Sequence, residues 1–295
     1  MTYRNLLFSL LLASVWHLAK AQTTTLQVVT KSTTKVFEYA AGSEVNIEGQ
    51  HAEIVVESWT QNKVRVEVRI IAKHTDVHQA EKDLETMQLS IKQEGSKLYF
   101  RNYLKSGEKP SAQLKVQYTV SLPADCPVYV KNNYGSLRAD DLTKRLRTQL
   151  RFTDIQLTNL SGYMAIDTYF GDLLADGLSG EVNINSKRSD LTLHNISGDF
   201  TINAQYGLIK LFTDQSELKL DITAEKADVY FFDPEPGIYG YTLTAHYGNI
   251  STPNELKFNF IENSGKLKRA IFTPANKMAT ISVKITFGDI VIRRP

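Results

Sequence analysis

The chain has 295 residues, 42% hydrophobic and 22% charged, which is ordinary for a globular protein and enough for one large domain or two small ones. Two of its 34 basic residues, Arg4 and Lys20, lie in the first 21 residues; beyond them 32 basic residues face 32 acidic ones, without the basic excess that a nucleic-acid partner needs. A single cysteine, Cys126, excludes an internal disulfide.

The first predicted element is a leader. Arg4 supplies a positive region, Leu6 to Val15 an apolar run, and Ala19-Lys20-Ala21 a small-residue cleavage site, the order of a secretory signal peptide. The run is too short to span a bilayer, and no later stretch reaches the roughly 20 apolar residues a span needs. The expected product is secreted, periplasmic or extracellular, cleaved after Ala21, with no lipid-anchor cysteine and no transmembrane segment.

Residues 22–130 read as strands and one helix. "SEVNIEGQHAEIVVESW" reads as an early coil or strand pair and "KVRVEVRIIAK" as a strand. A helix is predicted over 76–87, with Asp76 as its cap, Gln79 reaching back, and Val77, Ala80, Leu84 and Met87 on one face. A hairpin and the strand "QLKVQYTVSLP" follow. This part is expected to act as a cap, closing the open end of the repeats that begin after it.

From residue 131 to 295 the chain repeats itself. Five blocks of 18 residues, beginning at 135, 153, 171, 189 and 207, align without a gap. Position 3 of the block reads Leu137, Ile155, Leu173, Leu191, Ile209. Position 12 reads Leu146, Met164, Val182, Phe200, Leu218, and position 14 Thr148, Ile166, Ile184, Ile202, Leu220. Position 8 is apolar until Asp214. Polar residues alternate with these, the period of a strand with one buried face. Turns fall at Gly162, Gly180 and Gly198. The expected fold is all-β: a single-stranded parallel β-solenoid with about 18 residues per coil, in which stacked neighbours bury what one coil cannot bury alone. Aromatic-Gly corners at Gly135, Gly171, Gly207, Gly248 and Gly288 are spaced by 36, 36, 41 and 40 residues, so the last two intervals read as two coils each with small insertions at 232–240 and 262–278.

On these features the chain resembles the putative-adhesin family of secreted Bacteroidetes-type β-solenoids. The marks are the strand pair ending near Trp59, the helix between strands, "VSLPADCPVYV", the "NYGSL" corner and the closing "TFGDIVI". They are architectural, so the resemblance implies fold over the mature chain and, by analogy only, surface binding.

Candidate chemistry is sparse. Asp154, Asp172 and Asp190 form a column at position 2, but the G-G-x-G-x-D turns of a calcium β-roll are missing, so each Asp is expected to cap its own turn. Tyr134, Phe152, Phe170, Arg188 and Tyr206 stack at position 18, with Arg188 placed for cation–π contact. His74 and His78 flank Asp76 as H-T-D-V-H, not H-E-x-x-H. Cys126 reads as a half-buried thiol. The outward position 15 reads Gln149, Asp167, Asn185, Asn203, Asp221, beside Arg147, Ala165, Asn183, Thr201, Lys219 at position 13. Tyr163, Asp167, Tyr169, Asn183, Asn185 and Asn203 are therefore the predicted binding residues, suited to a repeating hydrogen-bonding ligand. The expected function is a non-enzymatic, cell-envelope binding or scaffold module of adhesin type, with an envelope glycan or surface protein as partner and neither cofactor nor metal. The alternatives are a polysaccharide-acting β-helix enzyme, with Asp233, Glu235, Glu255 and Glu262 as its candidate acids, and a self-associating structural spacer.

Overall fold

A computed structural model describes residues 25–213, 217–235, 237–275 and 280–294. The predicted leader and Asp214 lie outside the described residues. The described chain is mostly β, with one short helix and one long, largely parallel sheet.

The centre of the sheet follows the 18-residue register. β7 (Val128–Asp140), β8 (Arg145–Tyr169), β9 (Leu173–Lys187), β10 (Leu191–His194) and β11 (Ser197–Phe212) pair in parallel, with Ile155 on Leu173 and Leu173 on Leu191. β8 is longer than one period and lies over itself: the Tyr163 N–H donates to the Lys144 carbonyl at 2.9 Å. Each turn of the chain is thus one rung. Columns of like residues, Met164–Val182–Phe200 and Ile166–Ile184–Ile202, are buried inside. Stacking like on like pairs backbone groups from rung to rung and packs the inward apolar side chains on one another.

Two corners turn each rung through the left-handed region. Position 7 holds Asp141, Asn159, Gly177 and Asn195 at φ from 51° to 73°, residue types that tolerate it. Asn159 and Asn195 are N-x-S sites in the sequence; here their amides donate to Asp141 and Asp176 of the neighbouring rung, at 3.2 and 2.7 Å. Position 18 holds Tyr134, Phe152, Phe170, Arg188 and Tyr206 at φ from 50° to 67°, unusual for bulky residues. The glycine that follows on alternate rungs is required by close approach: a Cβ at Gly171 would stand 2.0 Å from the Thr153 carbonyl oxygen.

The fifth block departs from the predicted register. β12 (Leu218–Phe232) pairs with β11 at an offset of 20, Asn203 on Thr223 and Gly207 on Ala227. The block carries two extra residues before its second strand. An insertion of two restores the inward–outward alternation, so the apolar pattern conceals it. Position 15 on this rung is Thr223, not Asp221.

The C-terminal rungs are also out of sequence order. β17 (Thr280–Thr286) and β18 (Ile290–Arg293) lie directly on β12, Leu220 on Ile281 and Val229 on Ile290. β13 (Gly240–His246) and β14 (Ile250–Ser251) lie outside them. The spacings of 41 and 40 therefore do not mark successive pairs of coils: Gly248 and Gly288 are on adjacent rungs, and a Cβ on Gly248 would meet the Gly288 oxygen at 1.7 Å. Nor is 262–278 only an insertion. It contributes β16 (Leu267–Phe272), antiparallel to β13, with β15 (Asn259–Asn263) antiparallel to β16.

The N-terminal end changes direction in the same way. β2 (Glu44–Ser58) is the first parallel rung, Ile47 on Val130 and Ile54 on Leu137, turning at His51. Beyond it lie β5 (Lys97–Leu104) with its hairpin partner β4 (Met87–Glu94), and β6 (Gln113–Leu122), followed by antiparallel β3 (Lys63–His74) and β1 (Gln27–Glu38). Helix α1 (Val77–Leu84) packs on β1 and β3. Asp76 caps it by accepting the His78 N–H at 2.9 Å, but Gln79 turns to Asp83 rather than back to the cap. Val77 is 39% exposed, so the buried face is Ala80, Asp83 and Leu84.

Candidate functional site

The outward face of the long strand in each rung carries positions 11, 13, 15 and 17. Positions 15 and 17 border an open groove of about 1370 Å³ that follows the stack. Seven rungs contribute to it, from Lys131 and Asn133 on β7 to Lys284 and Thr286 on β17. Its floor includes the small inward residues of position 16, Thr168, Ser186, Ala204 and Ala224.

Four of the six predicted binding residues line this groove: Asp167, Tyr169, Asn185 and Asn203. Three of them, Asn203, Asn185 and Asp167, form a chain of side-chain hydrogen bonds along the stack. Asn203 Nδ2 donates to Asn185 Oδ1 at 3.1 Å, and Asn185 Nδ2 donates to Asp167 Oδ1 at 2.8 Å. The 18-residue offset creates this ladder by placing the same position of successive rungs one strand spacing apart. The Lys187 ammonium stands 5.7 Å from the centre of the Tyr169 ring, within cation–π range. Beyond the groove, Tyr129 donates to Gln149 Oε1 at 2.9 Å; burial, then the nearby Glu48, pushes its hydroxyl pKa up.

Tyr163 and Asn183 do not line the groove. Asn183 sits between Ala165 and Thr201 at position 13, and Tyr163 is an exposed residue of position 11 beside Glu181. Sequence reasoning took only Tyr169 from position 17 and passed over Arg151, Lys187, Gln205 and Glu225 there, although the position's parity matches position 15. Lys284 was out of reach, because its place depends on the strand order.

The acidic column serves the turns. Asp154, Asp172 and Asp190 each accept the backbone N–H of position 2 on the next rung, at 3.3, 2.9 and 2.8 Å. Each Asp therefore caps its neighbour's turn rather than its own. Asp228 and Asp289 continue the device at 2.8 and 2.7 Å.

The position-18 column runs through nine rungs: His51, Tyr134, Phe152, Phe170, Arg188, Tyr206, Lys226, Phe287, Tyr247. Neighbouring rings are 4.8 to 5.1 Å apart. Arg188 lies 5.1 Å from the Phe170 ring centre and 5.6 Å from that of Tyr206, so the expected cation–π stacking is formed.

Cys126 is fully rather than half buried, and burial, with Asp125 alongside, pushes its thiol up to about 12. Among the alternative enzyme's acids, Asp233 is also fully buried; burial raises its pKa, and it accepts the Tyr241 hydroxyl at 2.8 Å. Glu255 faces Arg294 at 3.3 Å.

A mostly β, largely parallel stack with capped turns, a ringed corner and a polar groove defines the architectural class. The particular family follows from the sequence: the Toastrack DUF4097 model matches residues 42–293, and the chain belongs to that family. Solved structures resemble it along most of its length at low identity. One, described as a "putative adhesin" from Parabacteroides merdae, is 12% identical over 90% of this chain and 96% of its own, with a TM-score of 0.43. Another so described, from Bacteroides fragilis, is 9% identical over 89% and 97%, with a TM-score of 0.37. A "putative cell adhesion protein" from Clostridium sporogenes is 12% identical over 90% and 100%, with a TM-score of 0.27. No curated protein matches the chain.

Proposed function

We propose that this is a non-enzymatic, secreted binding or scaffold module of the cell envelope, built as a β-solenoid and acting through the groove of positions 15 and 17. The 18-residue offset between parallel rungs supports the solenoid reading, with the antiparallel strands at each end as caps. The leader supports secretion. The names of the similar structures support an adhesive role by analogy.

The observation that carries the proposal is the ladder from Asn203 through Asn185 to Asp167. Side chains already held by their neighbours lose little freedom when a ligand arrives, so an extended ligand with a regular hydrogen-bonding repeat binds at low entropic cost. The test is retention of the mature protein on a cell-envelope fraction. N185A/N203A removes the ladder's amides at two exposed positions without adding charge, keeps the melting temperature within about 3 °C of wild type, and sharply reduces retention. Unchanged retention by the folded variant removes the groove from the function.

A further inference from the structure

The groove has a charge pattern that selects among ligands, and the choice of ligand rests on the groove being the binding surface proposed for it. Four cations line it, Lys131, Arg151, Lys187 and Lys284, all exposed. Two carboxylates line it, Asp167 and Glu225, and both face side-chain amides: Asn185 at 2.8 Å and Gln205 at 3.5 Å. None of the four cations has a carboxylate partner among the described residues; Lys187 instead covers the Tyr169 ring. Elsewhere the protein pairs its surface charges freely, as Lys115 with Glu53 and Lys63 with Glu38 show. A row of unpaired cations in this groove, in a chain whose residues beyond the leader balance to zero, is a local complement to negative charge.

We infer that the groove binds a linear carboxylated polysaccharide. The cations stand on four of seven rungs, and the six steps from Lys131 to Lys284 span about 29 Å at roughly 4.8 Å each. Positive charge so widely spaced, with two acids among it, matches a polymer whose carboxylates recur at intervals along otherwise neutral sugar. It does not match duplex DNA, which carries a charge about every 1.7 Å. The amides of Asn185, Asn203 and Gln205 offer donors and acceptors to sugar hydroxyls, and Tyr169 offers a ring face at the rim.

The test compares polygalacturonate, the same polymer with its carboxyls methyl-esterified, and single-stranded DNA as probes for the mature protein in affinity electrophoresis. The inference predicts retention by polygalacturonate that weakens with added salt, and little by the ester. K187Q/K284Q, with an unchanged melting temperature, loses roughly tenfold in affinity, the combined effect of two exposed ion pairs; K187R/K284R binds like wild type. Equal retention by acid and ester overturns the inference and leaves the binding face standing, as does tighter binding of DNA. Retention by the envelope fraction but by none of the probes also overturns it. Retention by nothing, the envelope fraction included, overturns the binding reading itself.

Discussion

Gly171 is the residue on which the corner most plainly depends, because an added Cβ would stand 2.0 Å from the Thr153 oxygen and 2.6 Å from its carbonyl carbon. Both are backbone atoms held in the ladder and cannot move aside. Gly171→Ala is expected to lower stability by about 2–4 kcal/mol, whereas Gly265→Ala, with open space around its Cβ, changes it by less than about 0.5 kcal/mol; chemical denaturation of the two variants checks the contrast. Asp83 is a second decisive residue. Burial pushes its carboxyl pKa up, but the N–H groups of Ser111 and Ala112, at 2.8 and 2.7 Å, with Gln79 and the Ser111 hydroxyl, hold it below the ordinary value. Its stabilisation is therefore complete above the unfolded pKa of about 3.9 and is lost as pH falls through the lower folded value. Asp83→Asn is expected to melt lower than wild type at pH 7 and to show a shallower loss of stability below pH 4, measured by thermal melts across that range. At this scale the sequence was legible where a column recurs. The column of Asp154, Asp172 and Asp190 could be read, but not the fact that each Asp serves the rung beside it, because the donor lies in the next repeat.

Elements were legible in type and less so in order. β9 and β11 announce themselves by alternation at a fixed period, since like residues must stack. The two extra residues in the fifth block kept that alternation and so left no mark in the pattern. The exchange of β13 and β17 left none either: "YTLTAH" and "TISVKIT" present the same inward–outward pattern, and a parallel edge accepts either. Cysteine pairs separate the two orders. Thr223 and Lys284 are direct partners on adjacent strands, within the Cα separation of roughly 4.4–6.8 Å that a disulfide requires, while Thr244 lies one strand further out. Oxidised T223C/K284C is expected to cross-link, and T223C/T244C not to, as read by non-reducing mobility and mass. Cross-linking in only the second pair would restore the sequential order.

At the scale of the whole molecule, one stack accounts for both the stability and the proposed binding face. The chain has no disulfide to draw on, and its rungs are held by buried apolar columns, backbone ladders and capped corners. The repetition that fills the interior also aligns outward side chains into rows, so a groove across seven rungs arises from the same register. That is why Asp167, Asn185 and Asn203 could be picked out from spacing alone, while Arg151 and Lys187 needed the curvature of the face to be seen. The central claim is that this groove is where the protein meets its ligand. Hydroxyl-radical footprinting of the mature protein on its envelope fraction tests it most directly. The account predicts protection of Tyr169 and its groove neighbours, with Leu174 and Tyr247, which lie outside the groove, labelled as in the free protein. Protection of Leu174 or Tyr247 with Tyr169 unchanged would contradict it.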